Sequence, residues 1–258
     1  LLYQLGSGCA EQNGYVATQY YKTDGPFESP LGLQRMNAFG KYFAHIGHNS
    51  KITISMGTFS SAWDASGQIP QRAVDQSLIS RFGALDNLEG GNTSRTNLNI
   101  KYDLQDDNNN MLSIQSYACD YDFKLFSNFT YFLDDADLGD MIEQLDNRRL
   151  YGMNANYKLV KKLDEKILKS AFGGGYRADN TSVALWHSPN RIRHELYTLA
   201  SINERNFFTW TQNEIVFSSK LRAQAGLRFD YFTFNVDDNT NNSSNTSFTE
   251  LPHASGYD

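Results

Sequence analysis

From Leu221 to Tyr231 the chain alternates in type: Leu221, Ala223, Ala225, Leu227, Phe229 and Tyr231 fall on one face of an extended segment, and Arg222, Gln224, Arg228 and Asp230 on the other. The same period of two returns at Ile52, Ile54, Met56 and Thr58, and at Leu98, Ile100, Tyr102 and Leu104 set against Asn97, Asn99, Lys101 and Asp103. It returns again in Tyr151, Met153, Ala155, Tyr157 and Leu159, and in Leu168, Ser170, Phe172, Gly174 and Tyr176. One face of each segment suits an oily surrounding and the other suits water. The segments exceed the roughly five or six residues of an ordinary soluble strand, and tight polar turns alternate with long polar loops. That combination predicts an all-β, antiparallel, up-and-down transmembrane β-barrel with periplasmic turns and extracellular loops.

Composition fits this reading once the strands are treated singly. The mean hydropathy of −0.54 looks soluble, and no run of about eighteen apolar residues exists, which excludes a helical span but not a barrel. Aromatic residues make up 14% of the 258 residues, enough to supply girdles at two lipid interfaces. A net charge of −6 without basic stripes argues against a nucleic-acid partner. Cys9 and Cys119 stand alone, without a zinc-type neighbour pattern; they suit either apolar packing or one disulfide. The first residues carry no basic start or cleavage site of an export signal, so the chain is expected to be a piece of something longer.

About ten strands follow from the alternation, near residues 2–8, 14–22, 35–45, 51–60, 95–104, 110–126, 151–159, 168–176, 194–217 and 220–236. The connection from Ser61 to Ser94 is too long for an ordinary loop, so either it is functional or its bounds hide part of a strand. In the segment 110–126 the alternation favours Tyr117, Cys119, Tyr121, Phe123 and Leu125 facing outward, with Leu112 and Ile114 out of phase, so a bulge or a misplaced strand start is expected there. Gly173-Gly174-Gly175 is weakly strand-like and suits a place where the backbone bends or aromatic rings cover it. The Asn/Ser-rich stretch 239–247, with Asn245-Thr246-Ser247, reads as a solvated loop.

Several strings resemble the middle barrel portion of TonB-dependent outer-membrane receptors: Tyr20-Tyr21-Lys22-Thr23-Asp24-Gly25-Pro26-Phe27-Glu28, Trp63-Asp64-Ala65-Ser66-Gly67-Gln68-Ile69-Pro70, Arg81 to Asp86, Gly90 to Arg95, Phe126 to Thr130 and Arg177 to Asn180. The resemblance implies a barrel of twenty-two strands, an N-terminal plug inside it and a TonB-contacting box ahead of the plug. With strands for about half a barrel and neither plug nor box, residues 1–258 are expected to be one partial barrel domain, an open fragment whose two free edges lipid does not tolerate. The partners so implied are a small-molecule or oligosaccharide ligand at the extracellular loops, outer-membrane lipid, and the TonB complex through a missing N-terminal part. The cargo would be a scarce solute: a ferric chelate, a cobalamin-like cofactor or an oligosaccharide.

Two loop clusters are candidate ligand contacts. Arg72, Arg81 and Arg95 with Asp64 and Asp86, beside Trp63 and Gln68, offer guanidinium forks for carboxylates or phosphates and an indole for stacking. Equally, those charges could pair among themselves to order the loop. Trp186, His187, Arg191 and Arg193 could supply the same chemistry from another loop, or seat a tryptophan at the interface with charges reaching lipid headgroups. The five histidines have no metal spacing, Asp134-Asp135-Ala136-Asp137 lacks the glycine and glutamate of a calcium hand, and no nucleophile elbow is present. No cofactor, metal or catalytic residue is expected. The alternatives are a ten-stranded outer-membrane enzyme such as a surface protease, and a soluble secreted glycan-binding β-sandwich.

Overall fold

The computed structural model describes residues 2–6 and 12–241. Cys9, His253 and the Asn245-Thr246-Ser247 triplet lie outside the described residues. Ten strands, β1 (Leu2–Gly6), β2 (Gln12–Thr23), β3 (Leu33–Ile46), β4 (Ser50–Asp64), β5 (Gly90–Gln105), β6 (Met111–Ser127), β7 (Ile142–Leu163), β8 (Lys166–His187), β9 (Glu195–Val216) and β10 (Arg222–Asp238), form one sheet in chain order. Every neighbouring pair is antiparallel. With all strands in one open layer, the β-sandwich alternative falls. A short helix, α1 (Gln71–Asp75), interrupts the connection between β4 and β5.

At one end the turns are tight. Asp164 and Glu165 alone join the paired residues Leu163 and Lys166, and Asp164 takes the left-handed φ of 55° that such a turn requires. Gly47, with φ 70°, turns β3 into β4. At the other end lie the long connections 24–32, 65–89, 128–141 and 188–194.

The ladder register shows which side chains share a face, because residues directly opposite across a pair point the same way. Ile52 faces Tyr102, Tyr102 faces Ile114, and Ile114 faces Ala155. Tyr157 faces Phe172, Phe172 faces Thr211, and Thr211 faces Leu227. These rows make a continuous apolar band beside the tight turns. Aromatic pairs run along it, Tyr157 with Phe172 at 5.4 Å and Tyr176 with Phe207 at 4.6 Å between ring centroids. Leu227 is 74% exposed, as a side chain whose solvent is lipid should be. The opposite face of the same segments carries Asn97, Asn99, Gln115, Asn154, Gln212 and Gln224.

Several strand readings need correction. The register of β6 against both neighbours is unbroken, so no bulge separates Leu112 and Ile114 from the rest. Those two residues sit in the lipid band, while Tyr117, Cys119, Tyr121, Phe123 and Leu125 lie on the other, inner face. The irregularity lies elsewhere, at Leu185/Trp186 on β8, where Tyr197 of β9 is the extra residue. The long connection is shorter than Ser61 to Ser94, because β4 continues to Asp64 and β5 begins at Gly90. Leu221 belongs to the turn before β10, where its N–H reaches the Ser218 carbonyl.

Two glycines of the run in β8, Gly173 and Gly175, lie under inward-facing rings. A β-carbon on Gly173 would come within 2.9 Å of Trp210 Nε1, and one on Gly175 within 2.7 Å of the Phe208 ring. Absence of a side chain lets those aromatics lie flat on the wall.

Candidate functional site

Above the lipid band the strands continue into a projecting region whose faces exchange character. The face that meets lipid lower down now carries Ser60, Asn92, Ser94, Asp120, Asp122 and Asn147. The inner face carries Phe59, Trp63, Tyr121 and Phe123. Tyr121 stacks with Phe123 at 6.5 Å between ring centroids. An aromatic inner wall therefore rises toward the long loops.

The loops are tied to one another at the root of the β4–β5 connection. The N–H of Glu28 donates to the Phe82 carbonyl at 3.0 Å and the Asp64 N–H to the Leu31 carbonyl at 2.7 Å, joining the β2–β3 loop. Asn128 Nδ2 donates to Asp86 Oδ2 at 2.8 Å, and the Tyr131 hydroxyl donates to the Gln68 carbonyl, joining the β6–β7 loop. Arg191 joins the β8–β9 loop: it donates to the carbonyls of Leu88 at 2.7 Å and Glu89 at 3.3 Å, pairs with Asp64 at 3.2 Å, and covers the Phe126 ring at 5.0 Å. Asn190 and Arg191 hold left-handed φ values of 55° and 61°. This strained corner aims the guanidinium across the sheet.

The residues singled out in the sequence are thus partly brought together. Asp64, Arg191 and the Gln68 backbone share this junction, although they come from loops far apart in the chain. Trp63, one residue from Asp64, lies half-buried on the inner face. Arg72 on α1 and Arg81 are exposed and make no ion pair among the described residues. Arg95 points inward, where its Nε meets Asn97 Oδ1 at 3.1 Å and Cys119 Sγ at 3.3 Å. Trp186 shares the outer row with Glu143, and the Arg193 guanidinium lies 5.2 Å from its ring centre. Arg193 also grips the buried Glu143 carboxylate through two contacts, at 2.5 and 3.0 Å. His187 is buried, with Nε2 2.7 Å from the Gly139 carbonyl and its ring stacked on Tyr197.

Sequence reasoning missed Glu89, Asn128, Tyr131, Glu143 and Asp140. Burial and the neighbouring Asp86 charge push the Glu89 carboxyl above its ordinary range, outweighing the Asn128 N–H it accepts. Burial likewise raises the Tyr131 phenol, helped by Glu89 and Asp86. Asp140 goes the other way: burial would raise it, yet N–H groups of Asp135, Asp134 and Leu133 and the Thr130 hydroxyl hold it down to about 2. Among the described residues no three His, Cys, Asp or Glu side chains converge as metal ligands. A shallow recess at Trp210, Gln212, Gln224 and Arg228 opens where the sheet ends at β10, away from the loops.

A family profile described as TonB dependent receptor-like, beta-barrel matches residues 19–256. The chain belongs to the TonB-dependent receptor β-barrel family. Among solved structures, the unliganded ferric citrate transporter FecA matches with a TM-score of 0.77 at 10% identity, over 92% of this chain and 35% of that one. BauA, the ferric preacinetobactin receptor of Acinetobacter baumannii, matches with 0.70 at 9% identity, over 91% and 39%. The ferric-catecholate import receptor Fiu of E. coli K12 matches with 0.65 at 8% identity, over 91% and 42%. At such identities the likeness is one of fold. This TonB-dependent receptor chain spans between about a third and two fifths of the length of these structures. No curated protein matches it by sequence.

Proposed function

We propose that this chain supplies part of the wall and rim of a Gram-negative outer-membrane receptor, which captures a ferric chelate at its extracellular loops and imports it with energy from the TonB complex. The rest of the barrel and the plug would come from other parts of a longer protein. The observation that carries the reading is the exchange of faces: at lipid level the outer face is apolar and amides stand on the inner wall among a few rings, whereas above it the outer face turns polar and aromatic rings line the inner wall. A polar inner wall within the membrane suits a wet lumen. An aromatic wall beneath knitted loops suits a compact ligand with flat or apolar parts. Solved proteins of this fold named for ferric citrate, ferric preacinetobactin and ferric catecholate support the cargo class.

The receptor reading is favoured over a surface protease by the alignment of nearly the whole chain with part of larger receptors and transporters. Trp63 is the proposed ligand-facing element of the wall, with Gln68, Arg72 and Arg81 in the loop above it, while Asp64 stands in the outer row that Glu143 and Trp186 share, where its pairing with Arg191 ties the loop down. Trp186 is assigned to the outer surface.

The test is uptake of radiolabelled iron chelates by cells expressing the full-length receptor. Trp63→Ala is expected to lower uptake about tenfold with surface abundance unchanged, whereas Trp186→Ala leaves uptake intact. Equal uptake by the wild type and Trp63→Ala, or parallel loss of uptake and abundance, overturns the assignment of Trp63. Uptake of an oligosaccharide and of no iron chelate overturns the cargo class.

A further inference from the structure

An ionised carboxylate removed from water needs a counter-charge or a proton. Glu89, at the root of the β4–β5 loop, is 5% exposed, and its Oε1 has no hydrogen-bond partner among the described residues. The carboxylate is pressed against Gly67, whose φ is +63°; a β-carbon there would collide with both carboxylate oxygens. Ser66, beside it in the chain and also 5% exposed, has an unpartnered Oγ. Asp86 stands close enough to act on the Glu89 charge, and Tyr131 close enough to feel both. Arg191 is turned elsewhere, toward the main-chain oxygens of Leu88 and Glu89 and the carboxylate of Asp64.

We propose that Glu89, Asp86, the Ser66 hydroxyl and the Gln68 carbonyl form a binding site for a hard divalent cation of the calcium class. A proton on Glu89 would relieve one oxygen and leave Ser66 unmatched. A cation that takes six to eight oxygens at about 2.3–2.6 Å uses the whole set, with water completing the shell. The donors are all oxygens, which selects against soft metals. Asp86 is already oriented, because its oxygens accept the Leu88 N–H at 2.9 Å and Asn128 Nδ2 at 2.8 Å, and each keeps a second lone pair. With two carboxylates only, the affinity belongs with extracellular calcium modules, on the order of 10⁻⁴ M. Bound there, the cation would lock the loop root that Arg191 and Tyr131 also hold. The site is independent of the cargo proposed above, and its test involves no cargo.

The probe is Tb³⁺ added to the full-length receptor in detergent, with emission excited through Tyr131 and Trp63. Saturable emission displaced by Ca²⁺ is expected, at least tenfold weaker in Glu89→Gln and weakened in Ser66→Ala, and unchanged in Asp135→Asn. Ca²⁺ should also slow tryptic cleavage after Arg72 and Arg81 in the wild type and not in Glu89→Gln. Emission indifferent to both Glu89→Gln and Ser66→Ala, or lost in Asp135→Asn instead, overturns the proposal. So does a Glu89→Gln loop as resistant to trypsin as the wild type with no effect of Ca²⁺ on either, because the amide would then be standing in for a protonated acid. Should Glu89→Gln fail to assemble, Ser66→Ala decides by the same two readouts.

Discussion

The lower and upper halves of the same strands obey opposite rules. On β6, Leu112 and Ile114 look outward at lipid level, and a few residues later Tyr121, Phe123 and Leu125 look inward. The backbone alternates without interruption; what changes is the solvent outside it. At lipid level the outer face must be apolar and the inner face wet. Above it the outer face meets water, and apolar side chains gain by turning into the space enclosed by the wall and loops. Period-two alternation identifies a strand, then, but the sign of its faces depends on height in the membrane.

The largest expected effect tests that height dependence directly. Leu227→Arg, on the outer face at lipid level, should cost about 2–4 kcal/mol in a membrane-insertion assay of the intact receptor, while Gln224→Arg on the inner face costs little. Ser60→Arg, on the same face as lipid but above it, should insert normally. If Ser60→Arg is as harmful as Leu227→Arg, the boundary between the two regions is misplaced.

Next comes a buried ion pair of the projecting half. Arg193→Ala leaves the Glu143 carboxylate 3% exposed and without its bidentate partner, since Lys124 stands at 3.9 Å. A loss of about 3 kcal/mol is expected, read as lowered denaturation resistance of the folded receptor. Lys124→Ala should change it by only a few tenths of a kcal/mol, as an exposed, distant partner does.

At lipid level the comparable inner-wall test is Gly175→Ala. Its β-carbon would lie 2.6 Å from the Met153 carbonyl and 2.7 Å from the Phe208 ring, so a loss of about 1–3 kcal/mol from overpacking is expected in the same denaturation assay.

The smallest effect is one of pH in the β6–β7 loop. Because Asp140 is held at about 2 in the folded loop, below the ordinary aspartate value of about 4, its contribution is complete at neutral pH. It declines as pH falls below that ordinary value and is gone once pH passes through the folded value. Hydrogen exchange at Leu133, Asp134 and Asp135 should accelerate across that interval. Asp140→Asn should abolish the pH dependence.

Most of the sheet was legible because alternation is a local signal and tight turns punctuate it. Strand number, order and the lipid face of β5, β7, β8 and β10 all follow from residues two apart. The upper strand ends were not legible, since they look polar outside and apolar inside and so read as loop or as slipped register. For the same reason β6 was assigned the wrong outward face. Of the candidate contacts, Asp64 and Arg191 meet across 127 positions of chain, a pairing that no local pattern announces. Glu89 was invisible for another reason: a glutamate ahead of two glycines looks like a solvated turn until Gly67 closes over it.

Arg191 holds the β4–β5 loop largely by its main chain: two of its hydrogen bonds end on the carbonyls of Leu88 and Glu89. A carbonyl is the same whatever side chain follows it. The exposed side chains of the segment, such as Leu78, are therefore free to change without loosening that anchor. In this rim the attachment is written in the main chain, and the exposed surface in the side chains.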